Sequence, residues 1–167
     1  MGTRSLTVFN DEGGTEICVL YRQMDGYPTG HGTDLKGFLD GFEVVNGIGA
    51  DLPEKCANGM GCLAAQVIAH FKQGIGNFYL HPAGTRDCGE EYIYTVYHDG
   101  GLRLRVQAGC VTYFGLPGTS QRNMPTLYDG TVEDFDAEAV QSAWRNRTED
   151  PPNDFLDSQS CRRTGHE

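Results

Sequence analysis

The sequence lacks an apolar stretch long enough to cross a membrane. None of its apolar runs approaches the roughly 20 residues that a transmembrane helix needs. The first residues pass into a strand-like pattern at Leu6 without the apolar core of a secretory signal. These absences predict a soluble, cytoplasmic protein with no membrane association.

Positive charge is also scarce. The chain has 13 Lys and Arg residues against 23 Asp and Glu residues, which gives a formal net charge of -10. Its longest basic run is Arg162-Arg163. A strongly acidic protein repels phosphate backbones, which argues against non-specific binding of nucleic acids. The sequence also has no P-loop, nucleophile elbow or HExxH motif, so it names no reaction.

Six cysteines are present, but no two of them form the CxxC pair of zinc ribbons and fingers. In a cytoplasmic protein they are most simply free thiols. Another interpretation is a structural zinc site built from four scattered side chains. The candidate metal ligands are Cys56, Cys62, His81 and Cys88. The sequence alone leaves the cofactor unknown.

The composition is that of a folded domain. Hydrophobic residues make up 38% of the chain and aromatic residues 10%, too many for a disordered protein. The length suits one domain with its own core. The apolar periodicity stops after Arg145, and a polar stretch with Pro151-Pro152 follows. We therefore expect a single globular domain over residues 1–145 and a polar, mobile tail over residues 146–167.

Two hairpins and three helices account for most of the periodic segments. Residues 5–22 contain two apolar runs around a glycine turn, and residues 91–107 contain two runs joined by Asp99-Gly100-Gly101. Helical apolar spacing occurs near residues 33–42 and 60–73, and a capping-box pattern at Thr131 predicts a third helix. Because strands and helices do not alternate, we expect an α+β domain. Its mainly antiparallel sheet would have five to six strands covered by two to three helices.

The first candidate site is the loop that joins the first hairpin to the first helix. It contains Arg22, Asp25, Tyr27 and His31. Arg22, Asp25 and Tyr27 could bind a polar or anionic ligand, with His31 as a catalytic acid or base. The alternative is purely structural: Asp25-Gly26 forms a turn, Arg22 pairs locally and His31 precedes a helix.

The second candidate site is the segment of residues 81–91. It holds His81, Cys88 and Glu90 between two strands. If this segment meets the first loop in space, His81 could bind the ligand and Glu90 could transfer a proton. The alternative is an exposed acidic loop whose cysteine packs against its surroundings.

Several motifs resemble one group of small proteins. The opening Met1-Gly2-Thr3-Arg4-Ser5 and the later Asp25-Gly26-Tyr27-Pro28 are similar to uncharacterised proteins of bacteria and tailed phages, which open with M-A/G-T-R-S before a DGYP-type loop. The resemblance covers about the first two thirds of the chain. It implies a bacterial cytoplasm, or a host cytoplasm if the protein is phage-encoded. The group has no established function, so the resemblance transfers no catalytic residue.

Two functions from different classes follow. One is a small-molecule binding protein or enzyme with a polar or anionic ligand, whose site lies between the loops at residues 22–31 and 81–91. The alternative is a non-enzymatic protein-interaction factor, such as a phage accessory or host-modulating protein. The first requires that Arg22, Asp25, His31 and Glu90 converge in a concave site. The second is favoured if they scatter and apolar side chains are exposed.

Overall fold

A computed structural model describes residues 2–109 and 124–147 of the chain. The main sheet contains β1 (Ser5–Asn10), β2 (Glu16–Arg22), β5 (Phe78–Pro82), β6 (Tyr92–His98), β7 (Leu102–Ala108) and β8 (Thr126–Thr131). A second sheet consists of two short strands, β3 (Glu43–Val45) and β4 (Cys56–Asn58). The helices are α1 (Thr33–Leu39), α2 (Gly59–Phe71) and α3 (Ala137–Arg145), and a π-helical turn over Pro28–Gly32 leads into α1.

The six strands of the main sheet lie in the order β5-β2-β1-β6-β7-β8. Within the described strands of this sheet, only β1 and β6 pair in parallel, and the other neighbours are antiparallel. Both predicted hairpins are confirmed, as β1–β2 and β6–β7. The predicted α+β class, with a mainly antiparallel sheet and helices, is also confirmed.

Alternation along the strands gives the sheet two different faces. On β1, Thr7 and Phe9 point towards the helices, while Leu6 and Val8 point to the opposite side. We call these sides the helix face and the far face. Apolar residues of α1, α2 and α3 pack on the helix face in one large core. The far face carries a smaller buried cluster of Leu6, Val8, Val19 and Ile93.

The predicted start of the third helix is wrong. Thr131 Oγ1 does accept a hydrogen bond from the Asp134 amide at 3.2 Å, but this contact closes a turn after β8. The helix α3 begins six residues later, where Asp136 Oδ1 accepts from the Ala139 amide at 3.0 Å. Strand β8, which begins at Thr126, was not predicted from the sequence. Nearly all of the predicted tail, from residue 148, lies outside the described residues.

The tip of the first hairpin is fixed to the start of α2. Glu12 Oε1 accepts a hydrogen bond from the Met60 amide at 2.7 Å. Amide groups at the first turn of a helix have no partner within the helix, and the helix dipole favours a carboxylate there. Gly59, directly before Met60, has a φ of 79° and brings the backbone close to Glu12. An anion-binding position at this helix start is thus filled by the protein's own side chain.

Candidate functional site

His31 lies at the centre of a buried polar network on the helix face. The π-helical turn carries its side chain inward, and it has no exposed surface. Its Nε2 atom lies 2.6 Å from Thr7 Oγ1, and its Nδ1 atom lies 3.1 Å from Arg22 Nη1. Three aromatic rings surround it, those of Phe71, Phe78 and Tyr94, with centroids 5.0 to 6.2 Å away.

Arg22 determines which nitrogen of His31 carries the proton. A guanidinium only donates hydrogen bonds, so Nδ1 of His31 must be the acceptor. The proton of the neutral ring is then on Nε2 and is donated to Thr7 Oγ1. This arrangement is the reverse of a serine-type catalytic pair, in which the histidine nitrogen accepts the hydroxyl proton. In this conformation His31 therefore orders Thr7 and Arg22 and has no nitrogen available to a substrate.

Burial keeps the His31 ring neutral. Loss of solvation lowers its pKa from 6.5 to about 3, and the positive charge of Arg22 acts in the same direction. A general acid or base at neutral pH needs a pKa near that pH. Both the hydrogen bonds and the lowered pKa thus give His31 a structural role in this state.

Arg22 connects the interior to the surface. Its Nε donates to the Met24 carbonyl at 2.7 Å, and Nη1 also donates to Asp34 Oδ2 at 2.8 Å. The Arg22 side chain is 10% exposed, whereas the Asp34 side chain is 50% exposed. The guanidinium also lies over the Phe78 ring, 5.3 Å from its centroid. These contacts lock the end of β2 to the following loop and to α1.

Asp25 and Tyr27 shape the loop. Asp25 has a φ of 57°, a conformation uncommon for residues other than glycine, and its carbonyl accepts from the His31 amide at 2.9 Å. Its exposed carboxylate lies 3.5 Å from the Tyr27 hydroxyl. Gly30 is required because an added Cβ would lie 2.5 Å from the Asp25 carbonyl oxygen. The loop is therefore tightly built around backbone contacts.

A second polar cluster lies on the far face, around Tyr21. The Tyr21 ring centroid is 6.0 Å from the ring centroids of Tyr79 and His81. These two residues are two positions apart on β5, so their side chains lie on the same face of the sheet. Burial raises the pKa of Tyr21. The charge of Arg4 lowers this pKa, and Cys88, Tyr79 and Glu90 raise it further. We call Arg4, Tyr21, Tyr79, His81, Cys88 and Glu90 the Tyr21 cluster.

Glu90 holds the segment between β5 and β6 in place. Its carboxylate accepts hydrogen bonds from the amides of Cys88 at 2.7 Å and Asp87 at 3.2 Å. The side chain is almost completely buried. Cys88, in the same segment, packs against the apolar cluster of the far face. Glu91, the next residue, has a pKa raised by burial, which the positive charge of Arg4 opposes.

The structure separates the two loops that sequence reasoning joined into one site. It brings Arg22 and His31 together on the helix face, and it brings His81 and Glu90 to the Tyr21 cluster on the far face. The sheet itself lies between the two groups. The convergence of Arg22, His31 and Glu90 that a shared catalytic site requires is therefore absent from the described residues.

The four candidate metal ligands are also separated. Cys62 packs on the core of the helix face, whereas Cys88 packs on the far face. Within residues 2–109 and 124–147, no three His, Cys, Asp or Glu side chains are grouped so that they could hold a metal ion. Cys56, Cys62, His81 and Cys88 thus do not form one site.

None of the described helices is long and apolar enough to cross a membrane.

Several residues of both clusters were not predicted from the sequence. Thr7, Asp34 and Tyr79 were not assigned to any site, although each makes one of the contacts above. The alternation of Thr7 with Leu6 and Val8 carries a signal, because it places a hydroxyl on a strand that is buried on both faces. Buried hydroxyls require polar partners.

Comparison of the chain with protein-family models, with curated proteins and with solved structures finds no significant match. The resemblance to small bacterial and phage proteins remains a prediction.

Proposed function

We propose that this protein binds a polar small molecule at the Tyr21 cluster. The observation that carries the proposal is that the rings of Tyr79 and His81 on β5 lie beside Tyr21, and that Cys88 packs against the same apolar cluster as Tyr21. Ligand sites typically combine aromatic surface with a few polar groups of defined position. Tyr21 and His81 are half-buried and Tyr79 is exposed, so their rings are accessible from solvent.

The chemistry of the cluster suits a ligand with both polar and ring-like parts. Arg4 and Glu90 contribute opposite charges near the Tyr21 hydroxyl. The rings of Tyr79 and His81 provide flat apolar surface beside that hydroxyl. A ligand that carries a hydrogen-bonding group on a planar or sugar-like ring would use both features.

Binding fits the geometry better than catalysis does. His31 uses both ring nitrogens inside the protein, and Glu90 uses its carboxylate to hold two backbone amides. The two residues expected to transfer protons are therefore engaged in structural contacts. Arg22, Asp25 and Tyr27 would contribute indirectly, by fixing the end of β2 from which Tyr21 projects.

The test is a ligand-observed NMR screen of a metabolite panel, with two matched variants. Tyr21→Phe removes the hydroxyl of the cluster, and Tyr97→Phe removes a hydroxyl at the other end of the far face, where it contacts Asp129. We expect ligands that bind the wild-type chain to bind Tyr21→Phe about fivefold more weakly, because one hydrogen bond contributes about 1 kcal/mol. Tyr97→Phe should bind normally. Equal binding by all three proteins, or no binding by the wild type, contradicts the proposal.

A protein-interaction function is favoured by a different observation. Three large apolar side chains near β5 are strongly exposed: Met24, Ile75 and Leu80. The Met24 amide donates a hydrogen bond to the side chain of Asn77, so Met24 lies beside the residue that directly precedes β5. Large apolar side chains exposed near one strand are a feature that contact surfaces between proteins share.

A further inference from the structure

The outer edge of β5 carries an unusual pattern of hydrogen bonds. The Gln23 amide donates to the Asn77 carbonyl at 2.8 Å. Given the register of β2 and β5, this bond determines which residues of β5 direct their backbone amide and carbonyl towards β2 and which direct them away from it. Tyr79 and His81 therefore direct their backbone groups towards β2, whereas Phe78, Leu80 and Pro82 direct theirs outward. β5 is the last strand on this side of the sheet.

Most of the outward groups already have partners. The Phe78 amide donates to the Gly76 carbonyl, and the Phe78 carbonyl accepts from Lys72 Nζ at 2.7 Å. Pro82 has no amide proton, and its carbonyl accepts from Thr85 Oγ1 at 2.7 Å. Among the described residues of β5, Leu80 alone keeps an outward amide and carbonyl without a hydrogen bond to another described residue.

A long foreign strand fits this edge poorly. Beside Leu80 it would find one donor and one acceptor, but opposite Phe78 and Pro82 its own backbone groups would be buried without partners. An edge strand protected by a lysine and a proline resists open-ended pairing for the same reason. The edge fits a partner strand that offers one backbone donor and one backbone acceptor, and whose other outward backbone groups already have hydrogen bonds.

We propose that this partner is a second copy of the chain, bound through an antiparallel pair of β5 strands centred on Leu80. Each Leu80 would donate its amide to the carbonyl of Leu80 of the partner subunit, and a two-fold axis would pass between them. Every other outward group of both strands is already satisfied, so the contact buries no unpaired group. The Leu80 side chain is 61% exposed and lies opposite its own copy in this register.

The same register brings the Tyr21 clusters of the two subunits next to each other. Tyr79 lies opposite His81 of the partner subunit, on the far face, and His81 lies opposite the partner's Tyr79. Aromatic pairs across neighbouring strands stabilise a sheet. Each Tyr21 cluster would gain the partner's rings at its border, and the two sheets would continue into one.

The experiment is analytical ultracentrifugation of the full chain from about 1 to about 500 µM, a range suited to a small and weak interface. Leu80→Lys places a charge on the two-fold axis, and Ile48→Lys is the control because Ile48 is 85% exposed in a loop distant in sequence from β5. We expect a concentration-dependent dimer for the wild type and for Ile48→Lys, and at least tenfold weaker association for Leu80→Lys. A wild type that stays monomeric, a larger assembly, or equal association of Leu80→Lys overturns the proposal.

A second measurement needs no variant. In the dimer the Leu80 amide is hydrogen-bonded, so its hydrogen exchange in the wild-type chain should slow as the protein concentration rises. The Ile48 amide should exchange at the same rate throughout. Concentration-independent exchange at Leu80, under conditions where association is observed, would place the interface elsewhere and overturn the pairing.

Discussion

At the residue scale, His31 has a structural role, although histidine is a residue type that often takes part in catalysis. Its two nitrogens have different neighbours, a guanidinium and a hydroxyl. Because the guanidinium can only donate, the hydroxyl is the group that accepts the ring proton. The ring is neutral, orders both partners and closes the space between the sheet and the loop that precedes α1. A histidine in a loop rich in glycine and tyrosine resembles a catalytic residue in sequence, but burial decides its role.

We expect His31 to make the protein sensitive to acid. Its pKa is lowered from 6.5 to about 3 in the folded state, so the unfolded chain takes up the proton first as the pH falls. Stability should therefore be fully present above pH 6.5 and decrease towards pH 3, by up to about 1.4 kcal/mol per pH unit. Urea unfolding between pH 7 and 4.5 measures this slope.

His31→Gln provides the comparison, since glutamine keeps one donor and one acceptor but does not titrate. The slope should be smaller in this variant, although Glu16 and Asp129 still contribute in both proteins because their pKa values are lowered. NMR titration of the folded wild type gives an independent check. A His31 ring that titrates near pH 6.5 would show that the network opens in solution.

Alternation within a single strand explains why the two candidate loops do not form one site. Tyr21 and Arg22 are neighbours on β2, so their side chains must point to opposite faces. This separation could have been predicted once the strand was placed. The partners of these two residues could not, because Asp34 approaches Arg22 from α1 and His81 approaches Tyr21 from β5, and neither contact has a local signal.

At the element scale, hairpins and the longest helix were predictable because their signals are local. Asp99-Gly100-Gly101 suits the turn between β6 and β7, and the apolar stripe of residues 60–71 suits α2. Strand β8 was missed because Asp129 and Gly130 are typical of loops. Its pairing with β7 comes from tertiary contacts, among them the ion pair of Arg105 with Asp129 at 2.9 Å.

The contact between the first hairpin and α2 should be measurable in stability. Glu12→Ala removes the acceptor of the Met60 amide and the negative charge at the helix start, so we expect a loss of about 1 kcal/mol. Glu54→Ala is the control, because Glu54 is exposed in the loop before β4 and forms no hydrogen bond with the described residues. Urea unfolding at neutral pH compares the two. Equal stability of both variants would show that the hairpin tip is not anchored.

At the scale of the whole molecule, the sheet order places the parallel pair of β1 and β6 at its centre. Both strands have neighbours on each side and apolar residues buried on both faces. Global unfolding is required to expose such amides, whereas edge strands open locally. The stability of the protein should therefore vary across the sheet from centre to edge.

Native-state hydrogen exchange tests this gradient. We expect the amides of β1 and β6 to exchange at least about tenfold more slowly than hydrogen-bonded amides of β5 and β8. Measurements at low protein concentration avoid protection of β5 by self-association. Equal protection of all six strands would indicate a single cooperative opening instead.

The parallel pair also has a consequence for synthesis of the chain. Residues 5–10 leave the ribosome well before their partner strand at residues 92–98, which follows more than 80 residues later. During that interval the β1–β2 hairpin has an unpaired strand edge, and Leu6 and Val8 do not yet pack against Ile93. Such an exposed apolar edge promotes aggregation. Nascent chains that stop before residue 92 are therefore expected to depend on chaperones or to be degraded, and only longer ones can bury the first strand.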